Sequence, residues 1–333
     1  MTNTAPIIEK SISKSDLPEM GCGTWAWGNR LLWDYDDSMD VGLQQAFNCC
    51  VQNGVTLFDT GDSYGTGKLN GQSEKLLGQF SQAYQGPNKD KIILATKLAA
   101  YPWRLTRGMM AKAGQASRDR MGRLDIAQMH WPTANYFPWQ EGALLDGIAD
   151  LFEQGLVRGV GLSNYGPKRL RWVHQRFAKR GVPIVSLQVQ YSLLSTFPLT
   201  DLGLRDVCNE LGIQIIAYSP LGLGLLTGKY GENTARPKGL RGQLFRQLLP
   251  GIQPLLNCLQ AIANAREVTM AQTALNWCIC KGTIPIPGAK SLAQAQQNIG
   301  ALGWRLSPGE VEALDSAVSA SDKQMVQNIF QTR

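Results

Sequence analysis

No run of about 18 uninterrupted apolar residues occurs anywhere in the chain, and the opening MTNTAPIIEKSISKSDLPEMG has no apolar core of the kind a secretion signal needs. Neither membrane spanning nor secretion is expected, and the cytoplasm is the expected compartment. Cysteine is sparse and unpatterned, seven residues with no CxxC pair. That argues against a disulfide framework and against a zinc site, so no metal is expected. Cys49-Cys50 and Cys278-x-Cys280 read as small buried hydrophobes on helices, with redox centres the less favoured alternative. Linkers and low-complexity tracts are missing too. With 44% hydrophobic and 18% charged residues, the 333-residue chain can bury a large core, and disorder is set aside.

Charge is present in excess of one sign, a formal +7. The densest basic stretch, KRLRWVHQRFAKR from Lys168 to Arg180, raises the question of nucleic acid. Leu170, Val173 and Phe177 form an apolar stripe within it, so the cations read as the outer face of an amphipathic helix and no nucleic-acid partner is expected. A modest positive field still suits an anionic cofactor.

Short runs rich in Val, Ile and Leu alternate with longer amphipathic stretches, which is the pattern of repeated β-α units and a parallel sheet. The strands are expected to end near Trp25, Thr60, Lys97, Trp131, Asn164, Gln190, Ser219 and Pro287. Helices fall between them, such as Val41 to Val51 and Leu144 to Gln154, the latter ended near Gly155. The expected fold is a (β/α)8 TIM barrel of one domain over residues 1–333, with a barrel core of about 20–300 and a C-terminal helix and tail over 301–333. Two features lie outside the repeat: a short hairpin or arm before Met20, and a long Gly-rich, basic loop after strand 7, from Leu221 to about Pro250. The tail after Ala301, with LSPGEVEALDSAV, starts with a Ser-Pro helix-entry signal and is expected to pack across the barrel.

Strand interiors are apolar, yet several strands end in a polar residue: Asp59, Lys97, His130, Ser163, Asn164, Gln188 and Tyr218. In a parallel barrel these ends share one rim. Asp59 alone would serve equally as a helix cap, and His130 alone more readily as a packing residue. Lys97 is different, because a lysine at the inner end of an apolar strand requires a partner, and Asp59 is the obvious one. Tyr64 follows Asp59 by five residues in the glycine-rich loop DTGDSYGTG, from which its ring can point back to the rim. A lysine cation beside it would favour the phenolate, and a carboxylate would hold the lysine charged.

At this point the chain resembles the aldo-keto reductase family, most closely its members from cyanobacteria and plant plastids. GCGTWAWG, FDTGDSYG, ATK, QMHWP, VGLSNY, QVQYS, AYSPLGLGLLTGKY and IPIPGAKS stand in the family's order over essentially the whole chain. The resemblance implies an NADPH-dependent oxidoreductase that reduces a small-molecule aldehyde or ketone to an alcohol. It carries the family's catalytic tetrad onto Asp59, Tyr64, Lys97 and His130, with Tyr64 as general acid and His130 orienting the carbonyl. It further implies that Ser163, Asn164 and Gln188 hold the nicotinamide carboxamide and that Tyr218 stacks on the ring. Thr24, Trp25 and Asp59 would border the same end. Ser219, Pro220, Leu221 and Gly222 would follow the pyrophosphate, closed over by Lys229 and Arg241. Gly288, Lys290, Gln294, Gln297 and Asn298 would surround the adenosine phosphate, with Lys290 on the 2′-phosphate. Gln297 replaces a Glu, and Gln294 an Arg, found in relatives. Trp27, Trp103 and Trp131 are expected to line an aromatic substrate pocket, with core filling as the equal alternative. A monomer or weak homo-oligomer is expected.

Three rivals stand beside this reading. GCGTWA formally matches a dinucleotide fingerprint of a doubly wound fold, but the aromatic, turn-like residues after it open no helix. A barrel glycosidase needs two rim carboxylates, and only Asp59 qualifies, Asp62 reading as a loop residue. An NADPH-binding redox sensor with little turnover would share the tetrad and differ only in rate.

Overall fold

The architecture comes from a computed structural model that describes residues 10–65, 67, 70–230, 237 and 239–333. Eight strands run in chain order around one sheet: β1 Gly21–Gly23, β2 Leu57–Gly61, β3 Ile93–Leu98, β4 Ile126–Met129, β5 Gly159–Ser163, β6 Ile184–Gln190, β7 Gln214–Tyr218 and β8 Ile284–Pro285. Every neighbouring pair is parallel. A bridge between Gly23 and Gly288, with Gly23 N donating to Pro287 O at 3.2 Å, closes the ring. This is the expected (β/α)8 barrel, and closure removes both exposed edges of the sheet.

The two-residue period of a strand explains which side chains fill it. Leu57, Ile93, Ile126, Val185, Ile216 and Ile284 point inward and form one apolar layer. Phe58, Leu94, Ala127 and Ala217, one position along, face the helices, as does Leu187, two along from Val185 across the register shift between β5 and β6. Those helices are α1 Arg30–Trp33, α2 Asp40–Gln52, α3 Gln72–Ala83, α4 Arg107–Met121, α5 Pro138–Glu153, α6 Pro167–Ala178, α7 Phe197–Thr200, α8 Leu204–Glu210, α9 Gly239–Leu248, α10 Gln253–Ala265, α11 Met270–Cys280, α12 Leu292–Ile299 and α13 Pro308–Ser319.

The basic stretch from Lys168 to Arg180 forms α6, whose Leu170, Val173 and Phe177 are buried as the stripe implied. Its arginines are not simply solvated. Arg169 pairs with Glu141, Arg176 with Asp146 at 2.6 Å, and Arg180 with Asp150 at 2.6 Å and Glu153 at 2.8 Å, all on α5, while Arg171 reaches Glu210 of α8 at 2.5 Å. The run is a seam between neighbouring helices. The seven cysteines are free thiols, five of them buried.

Three expectations outside the repeat take a different form. Of the N-terminal hairpin or arm, residues 1–9 lie outside the described residues, and 10–20 contain one 3-10 turn, Lys14–Asp16, and no strand. Ile12 and Leu17 instead join the inner apolar layer, stoppering the barrel at its N-terminal end. In the long loop after β7, residues 231–236 and 238 lie outside the described residues; the rest carries a 3-10 turn, Gly222–Thr227, and α9. The Ser-Pro signal does start a helix, α13, with Ser307 and Glu310 closing a capping box. That helix does not cross the barrel, however. It packs outside, through Arg266 of α10 on Glu310 (2.5 Å) and Trp277 and Lys281 of α11 on Asp315 (3.0 and 2.5 Å). The expected crossing of the tail is made by the segment after it, residues 320–333, where Val326 O accepts from Gln190 Nε2 of β6 at 3.2 Å and Thr332 N donates to Asn164 O at 3.1 Å.

Candidate active site

The period that buries Leu57 also turns Asp59 inward, one step nearer the rim, and the same step after Ala95 and Ile126 turns Lys97 and Gln128 inward. A charged layer thus sits directly on an apolar one. Burying ions there is tolerable only if they pair and satisfy their remaining hydrogen bonds. They do so: Lys97 Nζ donates to Asp59 Oδ1, while Oδ2 accepts from Gln128 Nε2 at 2.7 Å and Gln188 Nε2 at 2.9 Å. Lys97 is 2% exposed. Gly161 on β5 makes room for this layer, since a Cβ there would lie 2.8 Å from Gln128 Cγ and 2.8 Å from Ser186 Oγ.

Tyr64 folds back over the end of β2. Its amide donates to Gly61 O at 3.0 Å, and a Cβ on Gly61 would press to 3.1 Å against the ring. Lys97 Nζ lies 5.0 Å from the ring centroid, and the His130 ring stands 5.9 Å away, nearly perpendicular at 72°. Burial raises the Tyr64 pKa and Lys97 opposes it; burial wins, so the phenol keeps its proton. Lys97 thus favours the phenolate as expected, but burial outweighs it. Burial pulls the Lys97 ammonium down, but Asp59 and Tyr64 together carry it above its ordinary value, so it stays charged. Burial, then Lys97, holds His130 well below the usual imidazole range, leaving a neutral ring with Nδ1 unpartnered among the described residues.

A groove of about 780 Å³ extends from this cluster, lined by every residue expected to border a dinucleotide except Gly222. Leu223 and Gly224 line it instead, and Gly222 turns toward Leu194, which a Cβ there would meet at 2.7 Å. At the inner end, Tyr218 donates its hydroxyl to Asn164 Oδ1 at 3.0 Å, and Asn164 Nδ2 reaches Ser163 Oγ at 3.1 Å and His130 O at 3.3 Å. Thr24 sits fully buried, its hydroxyl against Ser73 Oγ at 2.7 Å, so it supports the wall from behind. At the outer end three cations converge. The Arg241 guanidinium lies 4.5 Å from the Trp33 ring, and Lys290 Nζ lies 5.7 Å from it while donating to Trp33 O at 3.0 Å. Burial, then Arg241 and Lys229, lowers the Lys290 pKa. Gln294 Oε1 accepts from Lys290 N at 2.7 Å and Asn298 Nδ2 donates to Gly288 O at 3.3 Å, which fixes the turn.

The three tryptophans divide. Trp27 is no pocket residue: it is fully buried, donates to Ala289 O at 2.9 Å and packs edge-on against Phe80 at 5.6 Å. Trp103 is 66% exposed and stacks on Tyr101 at 4.6 Å, at the outer lip. Trp131 touches His130 at 4.5 Å and stacks on Phe330 at 4.7 Å. Sequence reasoning missed Gln128, Trp33, Met325 and Asn328. Gln128 was readable, standing two residues after Ile126 and two before His130 on the inward face; the other three carry no periodic signal. Among the described residues no cluster of His, Cys, Asp or Glu could hold a metal ion, and no helix is long and apolar enough to cross a membrane.

The family model of the aldo/keto reductase family matches residues 19–319. The chain belongs to that family. It is 55% identical over 318 residues to the chloroplastic pyridoxal reductase of Arabidopsis thaliana, covering 94% of this chain and 87% of that protein. An uncharacterized oxidoreductase of Mycobacterium bovis is 36% identical over 314 residues, with 91% and 90% covered. Among solved structures, an aldo/keto reductase from Klebsiella pneumoniae in complex with NADP and acetate superimposes with a TM-score of 0.70 at 26% identity, over 94% of this chain and 95% of that one. Membership and a closed barrel together retire the doubly wound alternative: Gly21–Ala26 is β1 and the turn that follows it, and opens no helix at that point.

Proposed function

We propose that this aldo/keto reductase uses NADPH to reduce a ring-borne aldehyde of the pyridoxal type to its alcohol, with Tyr64 as general acid. The observation that carries the reading is the buried Tyr64–Lys97–Asp59 cluster beside a neutral His130. The groove's donors fit the cofactor: three mutually repelling cations at the outer end gain from a bound polyanion, and an aromatic ring with amides lies at the inner end. Lys290 and Arg241 would hold the 2′-phosphate, Lys229 and residues 219–224 the pyrophosphate, and Ser163, Asn164 and Tyr218 the nicotinamide. Gln188 would meet the carboxamide only through its oxygen, because the two hydrogens of its Nε2 go to Asp59 Oδ2 at 2.9 Å and Gln128 Oε1 at 3.4 Å.

When bound, NADPH supplies a hydride for the carbonyl carbon. Tyr64 Oη gives its proton to the carbonyl oxygen, and the Lys97 ammonium stabilises the phenolate this leaves until solvent reprotonates it. Asp59 and its two amides keep the ammonium charged and aimed. His130, neutral, offers a ring nitrogen to the same oxygen without placing a second cation beside Lys97. The substrate class is supported by the likeness to the plant pyridoxal reductase and by the aromatic lip of Tyr101, Trp131 and Phe330.

NADPH consumption measured over a panel of pyridoxal, sugar aldehydes and lipid-derived carbonyls tests this directly. Pyridoxal should give the highest kcat/KM and pyridoxine as product. Preference for an aliphatic aldehyde would overturn the substrate class, and NADPH binding with no reduction of any member would favour the redox-sensor reading.

A further inference from the structure

We propose that Thr332 is a positioning residue that couples the strap, residues 320–333, to the inner end of the groove through the main chain of Asn164. The inference rests on the cofactor site proposed above. Asn164 sits in the left-handed region at φ 65°, which asparagine tolerates better than other non-glycine residues, and hydrogen bonds on both sides of it hold it there. Its amide N donates to Gln188 O at 2.9 Å, and its side chain bridges His130 O and the Tyr218 hydroxyl. One group remains to be fixed, the carbonyl. It accepts from Thr332 N at 3.1 Å and lies 3.5 Å from Thr332 Oγ1.

Thr332 is itself 4% exposed, and its hydroxyl accepts from Gly166 N at 2.8 Å. The approach is too close for any side chain, because a Cβ on Gly166 would fall 2.3 Å from Thr332 O. The rest of the strap is held by isolated polar contacts, Asp322 N on Gly251 O (3.0 Å), Met325 N on Leu194 O (2.8 Å), Gln190 Nε2 on Val326 O (3.2 Å) and Gln327 Nε2 on Ser195 Oγ (2.5 Å), with Phe330 stacked on Trp131. Val326 and Ile329 are more than 80% exposed. A segment with so little apolar burial opens easily unless a specific contact ties it down, and Met325 and Asn328, which line the groove, move with it. A ligand that fixes Asn164 therefore also favours the docked strap, and a docked strap favours that ligand, since coupling between two sites is reciprocal.

Hydrogen exchange and NADPH affinity, measured on wild type, Thr332→Val and Thr332→Ser, test the coupling. Valine keeps the shape and loses both the acceptor for Gly166 N–H and the hydroxyl donor to Asn164 O; serine keeps the hydroxyl. NADPH should slow exchange across residues 325–333 in wild type and in the serine variant, and not in the valine variant. The valine variant should bind NADPH about fivefold more weakly, the scale of one neutral hydrogen bond, with kcat at saturating cofactor changed less than Kd. A lower melting temperature with unchanged Kd and intact protection by NADPH would reduce Thr332 to a structural role and overturn the proposal. A wild type that binds NADPH while its strap exchanges indifferently would overturn the coupling alone; a wild type that binds no NADPH would overturn the cofactor reading and the coupling together.

Discussion

Lys97 is where opposing electrostatic effects meet. Its ammonium is stripped of water, which favours the neutral amine, and is faced by Asp59, which favours the cation and prevails. Tyr64 feels the reverse balance, with burial prevailing over the cation. The acid form of a phenol raised above its ordinary pKa of about 10 persists through neutral pH, and an imidazole held far below its ordinary pKa of about 6.5 contributes no inflection there. The reductive kcat/KM should thus be level through neutrality and fall only on the alkaline side; an acid limb near the ordinary histidine value would contradict it. Lys97→Met should lower turnover by roughly 10²-fold or more, the usual scale of acid-base assistance. It should also cost about 3–5 kcal/mol in a denaturant melt, because Asp59 would be left buried without its cation. A near-normal rate would remove Lys97 from the mechanism. The meeting of Asp59, Lys97, Tyr64 and His130 was legible because polar residues at apolar strand ends are conspicuous. The net direction at Tyr64 was not, because it depends on how deeply the fold covers the phenol. Which of its two open readings Trp27 would take was not legible for the same reason, its burial being set by Phe80 and Ala289, far off in the chain.

Strands were readable to within two residues at their ends, since inward and outward faces alternate along each, as in Leu57-Phe58-Asp59. Gly161 shows what alternation alone hides. It reads as a gap in β5, yet the gap is occupied by Gln128 from β4, which holds Asp59. Gly161→Ala should therefore act on two observables, lowering stability by about 1–3 kcal/mol through overpacking and reducing turnover by displacing Gln128. Denaturant melts with steady-state rates check this, and an alanine variant equal to wild type in both would show the layer to be slack. Helix α6 was correctly read as amphipathic, although its acidic partners on α5 lie some 30 positions earlier and could not be assigned by pattern. That the tail would cross the barrel was expected, but the strap's contacts were not legible: they are made by backbone groups and isolated side chains with no period, so neither Met325 nor Asn328 announced itself.

At the scale of the whole molecule, closing the barrel brings residues from every strand end to one rim, and this is what the chemistry needs. Lys290 follows β8 and Arg241 comes from the excursion after β7, yet both lean on Trp33 beyond β1. A chain with a formal charge of +7 concentrates cations at one end of its groove and a single buried ion pair at the other, so in the proposed reaction polyanion binding and proton transfer would be separated along one ligand. The account stands on Tyr64 handing over a proton at the inner end while the groove alone retains the cofactor. Tyr64→Phe measures that separation most directly. NADPH should bind the variant with unchanged affinity while its consumption with pyridoxal falls to background; a variant that still reduces pyridoxal at close to the wild-type rate would contradict the account.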